Sequence, residues 1–186
     1  MSTGAIIGVV VAIVVVVALV WLVWTQLRRR QLRDRFGPEY SKAVEDEGGR
    51  RAAERELLQR EKRHSEYDIK PLDPAERERY GKQWVLIQEQ FVDHPGSAVA
   101  EADRLVTIVM GECGYPTEGY QQQASDLSVR HASTLDHYRT AHDIKDRHEE
   151  SRASTEELRE AMVHYRSLFQ DLLESDADSR SGRKRS

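Results

Sequence analysis

No charged side chain precedes Arg28, so all 28 Lys and Arg and all 32 Asp and Glu residues fall at or beyond that position. Cysteine is nearly missing as well. The lone Cys113 excludes an internal disulfide and suits a reducing compartment, where it reads as a small hydrophobe on a helix. There is no glycine-rich phosphate loop, no G-x-S-x-G elbow and no cysteine pair at zinc spacing, and together these absences argue against an enzyme. A formal charge of −4 gives no basic character for nucleic acid. No strand-period segment of useful length and no internal repeat occurs after the first apolar run, which points to an all-α chain.

That first run, AIIGVVVAIVVVVALVWLVW at residues 5–24, lacks Asn, Gln and Pro as well as charge. As a helix it is about 30 Å long, the thickness of a bilayer's hydrocarbon core. There its backbone groups must pair internally, so a helix is expected despite the many β-branched valines. Trp21 and Trp24 stand where indole rings favour the membrane–water boundary. Arg28, Arg29, Arg30, Arg33 and Arg35 come at once after it, whereas the leader 1–4 has no cation. This asymmetry places the N-terminus outside and the large C-terminal part in the cytoplasm, on a single-pass cell-membrane anchor. A cleaved secretory signal would carry basic residues before a shorter apolar core and a small-residue cleavage site, none of which is present. Neither a myristoylation signal nor a CaaX box is apparent. The five arginines either contact anionic lipid headgroups or only enforce topology. Gly4 and Gly8 form a weak small-xxx-small pair, which leaves self-association open.

Residues 25–70 read as a charged juxtamembrane arm. Gly37-Pro38 and Gly48-Gly49 break it into helices, and its sparse apolar positions (Tyr40, Ala43, Val44, Ala52, Ala53, Leu57, Leu58) predict solvated surfaces held partly by pairs such as Glu56 with Arg60. Residues 71–174 read as a bundle of about four helices. Asp73-Pro74-Ala75-Glu76 has the form of a helix start, with Asp73 capping and Glu76 bonding back. Tyr80, Trp84, Ile87 and Phe91 then make one stripe, either core or a groove for a partner helix. Val99, Ala102, Leu105, Val106 and Val109 line a second helix that ends near Gly114-Tyr115-Pro116, and the short link favours an antiparallel hairpin. Tyr120, Ala124, Leu127 and Val129 suggest a short helix with Gln121 to Gln123 on its wet side. Leu135, Tyr138, Ala141 and Ile144 mark a long helix over about 133–148. After a polar loop, Ser154 and Glu157 form a capping box. The last helix carries Leu158, Ala161, Met162, Tyr165, Phe169, Leu172 and Leu173. Residues 175–186 have no large apolar side chain and should be a disordered tail.

Histidine is the residue type that invites chemistry. His94, His131, His137, His142, His148 and His164 all lie beyond residue 90. Ligands sharing one ion along a helix stand three or four residues apart, whereas His137 and His142 are five apart, about 140° around the axis. The helix alone therefore cannot close three imidazoles on one metal. His137, His142 and His164 remain the candidate metal ligands, with solvated or core-edge histidines as the plainer reading. The paired carboxylates (Asp143 with Asp146, Glu149 with Glu150, Glu156 with Glu157) fall in charge-rich, exposed stretches unsuited to general acid–base work. No catalytic residue and no cofactor is assigned.

Several phrases are also familiar together: Arg35-Phe36-Gly37-Pro38-Glu39-Tyr40, Glu61-Lys62-Arg63-His64, Ala102-Asp103-Arg104-Leu105-Val106, Gly114-Tyr115-Pro116 and Ala161-Met162-Val163-His164-Tyr165-Arg166. Over about residues 28–173 the chain resembles a family of uncharacterised single-span bacterial proteins, mostly actinobacterial. The resemblance implies a shared fold and brings no reaction, cofactor or residue role. The expectation is therefore a membrane-anchored helical module that binds membrane lipid and another protein, a scaffold at the inner face of the cell membrane. A histidine-based metal-binding or enzymatic module, or a lipid-surface sensor acting through the arginines, is the alternative.

Overall fold

The computed structural model describes the backbone of residues 3–183 and the side chains of residues 13–174. Eight helices and no strand occur among the described residues: α1 Thr3–Phe36, α2 Pro38–Asp46, α3 Arg50–Glu66, α4 Pro74–Gln90, α5 Pro95–Glu112, α6 Tyr120–Leu127, α7 Ala132–Glu149 and α8 Thr155–Arg183. The chain is all-α, as the sequence predicts. It divides into two compact units, Met1–Leu57 and Leu58–Ser186.

In the first unit α1 carries the expected apolar run. Ile13, Val14, Val17, Val20, Trp21 and Trp24 are all more than half exposed. Among the described residues no helix is long and apolar enough to cross a membrane. The uncharged stretch 13–27 spans about 22 Å, short of the roughly 30 Å hydrocarbon core. The remainder of the expected span, 5–12, has side chains outside the described residues. Further along, the charged arm is not simply solvated. Leu32 and Phe36, one turn apart on α1, are buried, as are Tyr40 and Ala43 on α2 and Ala53 and Leu57 on α3. Gly37, at φ 48°, provides the turn between α1 and α2, and the two helices pack on each other. A narrow i,i+4 stripe suffices to bury these side chains even where charges outnumber apolar residues.

The second unit is the helical bundle. Here α5 is the central element, packed by α4, α7 and α8, while α8 also lies along α7. The expected stripes face inward: Tyr80, Trp84 and Ile87 on α4; Val99, Ala102, Leu105, Val106 and Val109 on α5; Leu135, Tyr138, Ala141 and Ile144 on α7. On α8, Leu158, Ala161, Met162, Tyr165, Phe169 and Leu172 are joined by Leu168, which the expected stripe omits. Cys113 is buried at the end of α5 and lies in the core. Ahead of α4, the segment 67–73 runs across that end of α5, where Lys70 N–H donates to the Cys113 carbonyl at 3.0 Å and Leu72 is buried.

Both expected helix starts are present. Asp73 accepts from the Ala75 N–H at 2.9 Å, and Ser154 and Glu157 cap each other reciprocally. The Arg147 guanidinium, with Ser154, holds the Glu157 carboxyl down at about 2. Glu76 does not bond back and instead lies 3.5 Å from Arg79 on its own helix. Asp73→Ala should therefore cost about 1 kcal/mol, read as a lower urea midpoint at unchanged slope. At the far end α8 continues to Arg183, and the expected tail 175–186 lies on residues whose side chains are outside the described set.

Candidate interaction surface

Because α4 and α8 both pack on α5 while their own backbones stay largely apart, a groove runs between them. Its wider part is about 400 Å³ and is lined by Arg77, Gly81, Trp84 and Val85 from α4 and by Arg166 and Phe169 from α8. A narrower continuation of about 170 Å³ leads to Phe91, Met162 and Val163. The indole and phenyl rings that bridge the helices, Trp84 and Phe169, stack with centroids 4.8 Å apart and planes at 21°. Such a pair contributes about 0.5–1.5 kcal/mol beyond the area it buries. Val85 and Val163 remain exposed on the groove walls. Of the apolar stripe of α4, Tyr80 and Trp84 are core, while half-buried Phe91 lines the groove.

Among the charged side chains of the lining, Arg77, Arg159 and Arg166 outnumber Glu174. Trp84 Nε1 and Arg77 Nε are buried donors with no acceptor among the described residues. Orphaned donors of this kind cost about 1–3 kcal/mol each. Arg77 and Arg166 make no ion pair among the described residues, whereas Arg159, at the narrow end, is paired with Glu156. Glu174 is the acid of the lining and belongs to the same wider part as Arg77.

Of the three candidate metal ligands, the structure brings two together. His137 and His164 meet across α7 and α8 with Nδ1 atoms 2.7 Å apart, so one donates and the other accepts. His142 lies elsewhere, stacked on Tyr120 at 3.8 Å and 6°, with its Nδ1 3.7 Å from Asp103. No group of three or more His, Cys, Asp or Glu that could hold a metal occurs among the described residues. The His148 ring lies against the backbone of Gly96, where a Cβ would not fit. His94, exposed, precedes α5.

Two buried polar networks have no signal in the sequence. In the first, Asp103 on α5 accepts from the Tyr165 hydroxyl at 3.0 Å and has the Lys145 ammonium at 3.8 Å. Burial pushes the Asp103 carboxyl up, but His142, Tyr165 and Lys145 together outweigh it and hold it below the ordinary carboxylate range. In the second, the buried His131 bonds through Nδ1 to Asp171 at 2.8 Å and through Nε2 to the Tyr115 hydroxyl at 3.1 Å. Thr134 also donates to Asp171, at 2.6 Å. Burial pushes Asp171 up too, and His131 and Thr134 bring it below its usual value. Apart from His142 Nδ1, which has no hydrogen-bond partner among the described residues, these chains satisfy buried groups between helices and have the character of structural cross-links.

Of the five arginines expected at lipid headgroups, Arg29 and Arg33 reach side chains on α3 and α2. Arg29 pairs with Glu54 at 3.3 Å, and the Arg33 guanidinium lies 5.3 Å over the Tyr40 ring. Arg28 lies 5.1 Å over Trp24, and Arg28, Arg30 and Arg35 are exposed.

Comparison with protein-family models, with curated proteins and with solved structures finds no match to this chain.

Proposed function

We propose that this protein is a membrane-anchored helical module that binds another protein through its C-terminal bundle, at the inner face of the cell membrane. The observation that carries the reading is the groove between α4 and α8, an apolar slot in which Arg77 and Arg166 make no ion pair among the described residues. A side-chain set of this kind suits binding. It has an aromatic anchor, aliphatic walls and a polar rim, the anatomy of a protein interface. The membrane attachment is assigned to residues 5–24, and its support is the exposure of every described apolar side chain from Ile13 to Trp24. An apolar surface of this extent on one helix calls for a nonaqueous surrounding. Arg28 stacked on Trp24 adds an aromatic–cation pair suited to the headgroup layer. The excess of arginine after residue 24 then sets the bundle on the cytoplasmic side.

Crosslinking of tagged full-length protein in intact cells, followed by mass spectrometry, tests both halves. The expected result is one recurrent second protein, captured from a membrane fraction that alkaline carbonate does not strip. Deleting 5–24 should move the protein out of that fraction. Release by carbonate would overturn the anchor, and capture of nothing or only of further copies of the chain would overturn the interaction reading. The lipid contribution is separable: changing Arg28, Arg30 and Arg35 to Gln should weaken association with anionic vesicles by about 1 kcal/mol per residue, an effect that high salt removes.

A further inference from the structure

The geometry points to an acidic amphipathic helix of another protein as the occupant of the α4–α8 groove, an identification that rests on the interaction reading above. Shape comes first. From Arg77 to Phe91 the groove follows α4 for roughly 20 Å, enough for about four turns of a guest helix. Because α4 and α8 are held apart on α5, the guest would fill a seam that the bundle leaves open.

Gly81 supplies a second, independent sign. It sits in the interior of α4, lines the slot, and a Cβ added there would meet nothing within 4 Å. Glycine inside a helix costs about 1 kcal/mol relative to alanine. No internal contact requires that loss at this position, whereas a guest helix passing close to α4 does, since a small residue lets the two backbones approach.

Charge decides the guest's chemistry. The lining carries Arg77 and Arg166, whose guanidinium groups make no ion pair among the described residues, against one acid, Glu174. Aspartate or glutamate on the guest answers these groups, with bidentate geometry available at each arginine. The guest's apolar face lies on the Trp84–Phe169 stack and against Val85 and Val163. Trp84 Nε1 and Arg77 Nε are both covered and without a partner, so a guest carboxylate reaches them only as the neighbouring side chains move aside.

The test places a photo-crosslinking phenylalanine derivative at Val85 in the full-length protein, expressed in its native membrane, with Ile108 as a second, exposed position outside the groove. Crosslinked peptides are sequenced by mass spectrometry. The expected catch at Val85 is a segment of another protein with apolar residues at i, i+3 or i+4 and net negative charge. Arg166→Glu combined with Arg77→Glu should lower the yield about tenfold or more. Gly81→Met should abolish capture while raising Tm, which separates a blocked slot from a damaged fold. A second copy of the chain, a lipid or a basic or neutral segment at Val85 would overturn the proposal, as would a yield indifferent to charge reversal and to Gly81→Met. Capture of another protein at Ile108 alone would sink this proposal and leave the interaction module standing.

Discussion

Gly114→Val should lower the unfolding free energy by roughly 3 kcal/mol or more, the largest loss expected from any single substitution outside the packed core. Gly114 has φ 93° and closes α5, where its N–H bonds back to the Gly111 carbonyl at 2.9 Å. A β-branched residue cannot adopt that backbone without strain. Space is also lacking, because a Cβ at this position would collide with the carbonyl oxygen of Asp68 in the segment 67–73. That obstacle is backbone and cannot rotate away. The same segment is tied to α5 by the Lys70–Cys113 bond and buries Leu72, so its displacement uncovers one end of the core. Thermal unfolding followed by circular dichroism should show Tm falling by about 10 °C. A change under about 2 °C would mean that segment 67–73 is not held against α5 as described.

Tyr165→Ala should cost roughly 3–5 kcal/mol. The ring is fully buried, meets Tyr138 edge-on at 6.2 Å, and its hydroxyl donates to Asp103. Tyr165→Phe separates the two contributions. It keeps the ring and removes one donor from an ionised carboxylate, at about 2 kcal/mol near neutral pH. Its signature is in acid. Asp103 and Asp171 both have folded values depressed below the ordinary carboxylate, so their stabilisation is complete above about pH 4 and is lost as pH falls through the lower folded values. Removing the Tyr165 hydroxyl lifts Asp103 toward its unfolded value. The variant should therefore be destabilised at pH 7 and converge on the wild type as pH falls below about 4. A constant difference between the two proteins from pH 7 to pH 2 would show that the Tyr165–Asp103 bond carries no part of the acid response.

Local information makes the helices readable. Leu135, Tyr138, Ala141 and Ile144 recur at three-residue spacing and all are buried; Asp73 and the Ser154–Glu157 pair announce helix starts through residues only two or three apart. What escapes depends on distance along the chain. His131 reaches Asp171 across 40 residues, and His137 reaches His164 across 27. Neither spacing marks a contact, because only the packing of α7 on α8 brings the partners together. Gln123, expected on the wet side of α6, is buried for a related reason. In a run of three glutamines, side-chain type cannot distinguish the wet face from the dry one. The buried member is the one that accepts from Tyr138 at 2.7 Å and donates to the Thr117 carbonyl at 2.9 Å. The groove is half legible: the α4 stripe is apparent in the sequence, but the opposite wall requires Phe169 and Arg166 to be set beside it.

The burial of Cys113 makes the folded chain almost silent to thiol reagents. A cysteine introduced at any exposed position will therefore be labelled alone, with no need to engineer the native thiol away. Conversely, the rate at which Cys113 itself reacts becomes a clock. Because this thiol is buried and its backbone carbonyl is tied to Lys70, its modification counts the moments at which that end of α5 opens. A molecule bound to the bundle should slow the clock only if it suppresses those openings, so the chain carries its own reporter of local breathing.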